Sequence, residues 1–262
     1  NLRTAVIGKK YAQETLGFYN RGKQFPELVM NAVNGSIQSV MLPVLADEQD
    51  DVSRMKQMMR RSVMVSSFLV LPMMAGLAAV AEPLVRLLLT DKWLPCVPFL
   101  QICCIDFAFY PIHTANLQAI NAMGRSDVFL RLELIKKSYG LLILAATVFL
   151  FDSVYAIAWG AVASTLLAAV VNASPNRKLL GYGYLEQMRD VLPALALSAV
   201  MFAAVWMLGQ VPLSPLPLLV LQVLAGAAIY GGLALLLRLE SMRYLMDMLR
   251  GLAARRRGEA KA

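Results

Sequence analysis

Four polar residues stand at helical spacing inside an otherwise apolar run: Glu27, Asn31, Asn34 and Gln38, at i, i+4, i+7 and i+11. On a helix these positions form one continuous stripe. A carboxylate and three amides can line a watery cavity, or they can hydrogen-bond across to neighbouring helices and hold a bundle together. A second ladder follows in Asp106, Tyr110 and His113, at i, i+4 and i+7, running on to Asn121 with Asn116 and Gln118 nearby. Its carboxylate and the chain's single histidine then sit two turns apart, where they suit a proton relay or a coupling-ion site. The same groups suit a structural cluster beside Pro111, whose ring frees a carbonyl that needs a partner. Arg3 is a guanidinium in apolar sequence. At membrane depth it needs a carboxylate or a phosphate, unless it snorkels from a helix end. Lys136 and Lys137 have stems long enough to snorkel to a membrane surface.

Nothing in the chain resembles a catalytic framework. There is one histidine, and no HExxH, GxSxG or P-loop pattern, so neither an enzyme nor an ATP-driven pump is indicated. Cys96, Cys103 and Cys104 lack metal-ligand spacing and read as small apolar residues. No metal site and no cofactor are expected.

The elements that must position these residues are membrane helices. Of 262 residues, 58% are hydrophobic and 16% charged, and the mean hydropathy is +0.59. A soluble chain would carry about a quarter charged residues. The apolar residues come in blocks approaching the ~20 needed to cross the hydrocarbon core, not in the stripe of a soluble helix. The expected class is all-α, a polytopic transmembrane bundle of seven full spans plus part of an eighth. The partial span is 1–8; the full ones are 25–46, 62–81 (continuing to 89 beyond a break at Pro83), 97–123 with a kink at Pro111, 128–151, 154–173, 191–208 and 216–237. Residues 1–237 then form the bundle and 238–262 a basic cytoplasmic tail.

Charge sets the expected orientation. The stretches 47–61, 124–137, 174–190 and 238–262 hold 4, 4, 3 and 7 basic residues, whereas the turns on the other side hold Lys92 alone. That asymmetry places the C-terminus in the cytoplasm. One loop dissents: 11–24 falls outside yet carries Arg21 and Lys23. The net charge of +8 is met by topology and anionic lipid, with no nucleic acid required. Because the chain opens Asn1-Leu2-Arg3 inside an apolar run, an N-terminal part of the protein is expected to precede it.

Three stretches resemble a family. Leu16-Gly17-Phe18-Tyr19-Asn20-Arg21-Gly22-Lys23, with Pro26 and the run Met41-Leu42-Pro43-Val44-Leu45-Ala46, is similar to the Wzx-like lipopolysaccharide and exopolysaccharide export flippases. These belong to the multidrug/oligosaccharidyl-lipid/polysaccharide (MOP) superfamily. Leu87-Leu88-Leu89-Thr90-Asp91-Lys92-Trp93-Leu94-Pro95 resembles a turn of the same family, with Thr90 where glycine is common. Asn121-Ala122-Met123-Gly124-Arg125-Ser126-Asp127 resembles its cytoplasmic turn. The likeness covers about residues 1–190; the last two spans agree only in hydropathy.

The resemblance implies the second half of a two-bundle flippase, in a bacterial inner membrane, that turns an undecaprenyl-pyrophosphate-linked oligosaccharide for lipopolysaccharide, capsule or exopolysaccharide synthesis. Its implied partners are the lipid-linked sugar, the bilayer, the N-terminal half of the same protein, and the polysaccharide polymerase and glycosyltransferases of the pathway. Arg3, Glu27, Asn31, Asn34 and Gln38 are the implied cavity residues, with Asp106 and His113 as an ion-coupling pair. A cation-coupled drug antiporter of the same superfamily is the rival reading, because Glu27 and Asp106 would suit a cationic solute. A membrane glycosyltransferase or ligase would need a long external catalytic loop, and the outer turns are mostly too short for one.

Overall fold

The computed structural model describes residues 2–47 and 51–246, without the side chains of Asn34 and 36–47. Its elements, in chain order, are α1 (Leu2–Lys10), α2 (Gln13–Asp47), α3 (Val52–Ala79), α4 (Ala81–Leu89), a 3-10 turn (Asp91–Cys96), α5 (Val97–Ala108), α6 (Tyr110–Ala122), α7 (Ser126–Leu150), α8 (Val154–Leu179), α9 (Tyr184–Leu208) and α10 (Pro215–Leu236). Residues 240–246 are helical as well, and the described residues contain no strand.

Five stretches are long and apolar enough to cross a membrane: Val52–Ala79, Asp91–Ala122, Val154–Leu179, Tyr184–Leu208 and Pro215–Leu236. Two further expected spans, α2 and α7, are 35 and 25 residues long and carry nearly all their charges in their first halves. Large apolar side chains face outward, Phe149 at 85% and Leu236 at 79% exposure. A watery surface would make such a belt costly, and a bilayer makes it favourable.

Helix boundaries follow local chemistry. Asp51 caps α3 by accepting from the Ser53 and Arg54 amides, both at 3.0 Å. Pro111 falls in the first turn of α6, where its missing N–H is tolerated, so the expected kink is a break at Phe109 between α5 and α6. Gly124 ends α6 with φ 66°, the left-handed conformation that closes the last turn. Arg125 N–H then reaches back to the Ile120 carbonyl at 3.1 Å.

The helices run further than their apolar blocks. The polar stretch 11–24, expected as a loop, is helical from Gln13, and the charged stretch 47–61 is helical from Val52. Between α8 and α9 only 180–183 interrupt the helices, although 174–190 reads as a loop. Leu, Glu, Gln, Lys and Arg are all good helix formers, so polarity ended the hydrophobic signal without ending the helix.

Packing pairs α3 with α9, α2 with α5 and α6, α7 with α8, and α9 with α10. Gly22 allows the α2–α5 contact: a Cβ there would stand 2.7 Å from the Cys96 carbonyl and 2.8 Å from the Leu100 nitrogen. Near the end that holds the 180–183 turn, three buried amides join α6, α8 and α9. Asn116 donates to Gln187 at 2.7 Å, and Asn176 donates to Asn116 at 2.8 Å. Beside them Arg60 forks onto Asp190, with both bonds at 2.9 Å, and also meets Glu240 at 3.2 Å. Tyr182, in the turn, donates to Asp190 at 2.8 Å. Burial first, and that hydrogen bond second, push its hydroxyl above the usual tyrosine range. Leu239, Met242 and Leu245 pack on the core, so the start of the basic tail is docked on the bundle.

Candidate functional site

The polar ladder Asp106–His113 meets a matching pair on α8. Thr165 donates to Asp106 Oδ1 at 2.5 Å, and Asn172 Nδ2 lies 3.2 Å from His113 Nδ1. Both pairs are seven residues apart on their own helices, so two turns of α5–α6 register against two turns of α8. Asp106 and His113 therefore face the same helix, as their spacing predicts, and each has its own partner there.

Ser164, beside Thr165, binds Arg3. The guanidinium donates to Ser164 Oγ at 2.9 Å, and Ser164 in turn donates to the Gly160 carbonyl at 2.7 Å. Tyr139 of α7 donates to the Ser164 carbonyl at 3.2 Å. Seven residues separate Arg3 from Lys10 at the end of α1, about 10 Å at 1.5 Å per residue. Lys10 marks that end by pairing with Asp152 in the α7–α8 turn at 3.2 Å. Arg3 thus lies about 10 Å from the end that Lys10 marks, partly buried against α8.

Two more charges complete the upper part of the site. Lys23 and Glu27 on α2 pair at 3.8 Å, and the fields of both Arg3 and Lys23 reach Asp106. Two cations and two carboxylates from α1, α2 and α5 are gathered here. One cation differs from the other: Lys23 has a carboxylate partner, whereas the contact given to Arg3 is a neutral hydroxyl.

Below this cluster lies a cleft of about 420 Å³ between α6, α7 and α8. His113, Asn172, Gln118 and Lys136 stand on its wall. Lys136 is only 16% exposed and bonds to Glu133 one turn earlier. Its ammonium meets a carboxylate of its own helix, one turn nearer the start of α7, while Lys137 remains exposed. Across the bundle an apolar cleft of about 820 Å³ lies between α3, α5, α8 and α9, with Trp159 and Trp206 on its wall.

The α2 stripe is only partly within view. The face of α2 buried against this bundle is Tyr19, Gly22, Pro26 and Met30. Glu27 and Asn31 each follow a buried position by one residue, about 100° around the helix. Glu27 is half-buried and Asn31 exposed, so both leave the interior of this bundle free. The side chains of Asn34 and Gln38 lie outside the described residues. Sequence reasoning passed over Lys23, Ser164, Thr165 and Asn172. The α8 residues were findable, because Thr165 and Asn172 repeat the seven-residue spacing of Asp106 and His113 inside an apolar helix. Among the described residues no three His, Cys, Asp or Glu side chains are grouped to hold a metal ion.

Comparison with known proteins bears out the resemblance read from the sequence. Residues 1–98 match a family described as polysaccharide biosynthesis protein. The succinoglycan biosynthesis transport protein ExoT of Rhizobium meliloti is 27% identical over 264 residues, covering 94% of this chain and 50% of ExoT. The teichuronic acid biosynthesis protein TuaB of Bacillus subtilis is 25% identical, covering 70% of this chain and 37% of TuaB. The lipopolysaccharide biosynthesis protein WzxC of Escherichia coli is 24% identical over 52% of this chain and 28% of its own length. The chain thus spans half or less of the length of these relatives. Its fold is shared with the lipid II flippase MurJ in an inward closed conformation, at a TM-score of 0.70 and 14% identity, over 89% of this chain and 48% of MurJ.

Proposed function

We propose that this relative of the polysaccharide-biosynthesis transporters forms one bundle of a flippase, which turns an undecaprenyl-pyrophosphate-linked oligosaccharide across the bacterial inner membrane. The observation that carries the reading is Arg3, a partly buried guanidinium in apolar sequence whose hydrogen-bond partner is a hydroxyl. At membrane depth such a charge costs a few kcal/mol unless an anion or water meets it. A diphosphate meets it well, because the planar guanidinium can donate two parallel hydrogen bonds to phosphate oxygens. The second bundle of the transporter would cover the open side of α2, where Glu27 and Asn31 leave this one. With Asn34 and Gln38 further along the stripe, they would line the shared cavity. Rocking of the two bundles about that cavity would expose it to each side in turn.

The antiporter reading rests on Glu27 and Asp106. Lys23 neutralises the first, and Arg3 and Lys23 both act on the second, so the cluster has no surplus of negative charge to attract a cationic drug. The acids fit a coupling role better than a substrate role.

The test is export by the full-length protein. Arg3→Lys keeps the charge and loses the fork, and should reduce export modestly. Arg3→Gln loses both and should reduce it severely, by about a hundredfold for one lost charged bidentate contact of ~3 kcal/mol. Protein level should be unchanged in both. Wild-type export by the Gln variant would show that Arg3 does not hold the diphosphate.

A further inference from the structure

Two arginines at one end of the bundle have no anionic partner among the described residues. Arg238 follows the last turn of α10, and Arg243 stands in the short helix 240–246. Both are exposed, and neither side chain takes part in an ion pair or hydrogen bond there. Glu240, the nearest carboxylate in sequence, is already taken by Arg60 at 3.2 Å and by the Tyr244 hydroxyl at 2.8 Å. Arg238 and Arg243 stand on the wall of one hollow of about 240 Å³. The rest of that wall is apolar, with Leu235, Leu239, Met242 and Met246.

The backbone holds Arg238 in an unusual conformation. Its φ is 50°, in the left-handed region. Its N–H donates to the Leu235 carbonyl at 3.1 Å, and the Leu239 N–H reaches back to the Ala234 carbonyl at 3.2 Å. Glycine makes this two-bond helix ending most easily, because a Cβ crowds the left-handed backbone. An arginine there complements the helix dipole, but a cation one turn earlier would do so without strain. The same turn swings the chain from α10 into the 240–246 helix and brings the second guanidinium to the same hollow.

Two guanidiniums beside an apolar floor select an amphiphile with a net negative head. The planar fork of arginine donates two parallel hydrogen bonds to phosphate oxygens. A zwitterionic lipid brings the same phosphate, but its ammonium adds a third positive charge beside the pair; a phosphatidylglycerol head adds none. The floor continues along α10, where tails would lie. Gly231 stands one turn before Leu235 on the same face, and a Cβ at Gly231 or Gly232 would meet nothing within 4 Å. Leu235 and Leu236 are exposed beside them. We propose that Arg238 and Arg243 form a site for one anionic phospholipid, with its phosphate between the two guanidiniums and an acyl chain along the Gly231–Leu235 face of α10. The lipid would bridge α10 to the 240–246 helix. The inference stands independently of the export reading.

The experiment is native mass spectrometry of the full-length protein in detergent, titrated with phosphatidylglycerol or phosphatidylcholine. The wild type should bind the first about tenfold more tightly. Arg238→Gln and Arg243→Gln should each weaken phosphatidylglycerol about tenfold, equivalent to ~1.4 kcal/mol, and leave phosphatidylcholine unchanged. Arg238→Gly should weaken it likewise while raising the thermal unfolding midpoint of the lipid-free protein, because it relieves the left-handed backbone. A residue that only ended the helix would not shift the lipid preference. Arg255→Gln, Arg256→Gln and Arg257→Gln made together control for diffuse attraction by the basic tail. A preference lost in that triple variant but kept in both single Gln variants would overturn the site, as would equal binding of the two lipids by the wild type. Inorganic phosphate raising the unfolding midpoint as much as phosphatidylglycerol does would make it a free-phosphate site and overturn the lipid assignment.

Discussion

Asp106 and Arg3 are held by consecutive residues of α8, Thr165 and Ser164, at 2.5 and 2.9 Å. One helix therefore carries both charges, and any movement of α8 relative to α1 and α5 shifts both contacts together. We propose Asp106 as the carboxylate that couples a proton or ion to a change of shape. Asp106→Asn keeps an acceptor for the Thr165 hydroxyl and removes the charge. We expect normal protein levels with export that is slower and no longer responds to the ion gradient. Wild-type export with its gradient dependence intact would remove Asp106 from coupling. The spacing of Asp106 and His113 was legible in the chain because periodicity fixes angles within a helix. Their partners were not, because Thr165 and Asn172 are each 59 residues away.

At the scale of the element, α2 shows how a charged, glycine-containing stretch becomes helix. Gly17 and Gly22 both lie in it, in opposite surroundings. A Cβ at Gly17 meets nothing within 4 Å, whereas one at Gly22 would press on the backbone of α5. Gly17→Ala should stabilise the protein by roughly 0.5–1 kcal/mol through helix propensity. Gly22→Ala should destabilise it by about 1–3 kcal/mol, because backbone cannot rotate away as a side chain can. Thermal unfolding in detergent measures both, and a Gly22→Ala midpoint at or above wild type would refute the close α2–α5 approach. The helical course of 13–24 also removes the dissenting loop from the charge pattern. Arg21 lies against the Trp93 ring at 5.2 Å, and Lys23 is paired one turn further in.

At the scale of the whole molecule, the basic stretches collect at the end where α6 meets α7 and α8 meets α9, with Arg60, Asp190 and Glu240 interlocked there. The proposed orientation puts that end in the cytoplasm. Ser126, at the start of α7, and Ser214, in the α9–α10 turn, are exposed at opposite ends, and Cys96, Cys103 and Cys104 are buried. In intact cells an impermeant thiol reagent should label a cysteine at Ser214 and spare one at Ser126. The reverse pattern would invert the topology. In the proposed arrangement the outward belt of Phe149, Leu150 and Leu236 faces lipid, and the face of α2 at Glu27 and Asn31 would meet a second bundle.

Composition and periodicity by themselves determined the helical membrane class, the polar ladders and the break at Pro111. Continuous apolar runs, i, i+4, i+7 spacing and a missing amide proton act within one segment and need no neighbour. Only the tertiary structure decided which neighbour each ladder faces, and that Arg3 rests on a hydroxyl instead of a carboxylate. These depend on helix rotation and register, which packing fixes between segments far apart in the chain. A helix repeats its own pattern faithfully, but the pattern does not say what stands opposite.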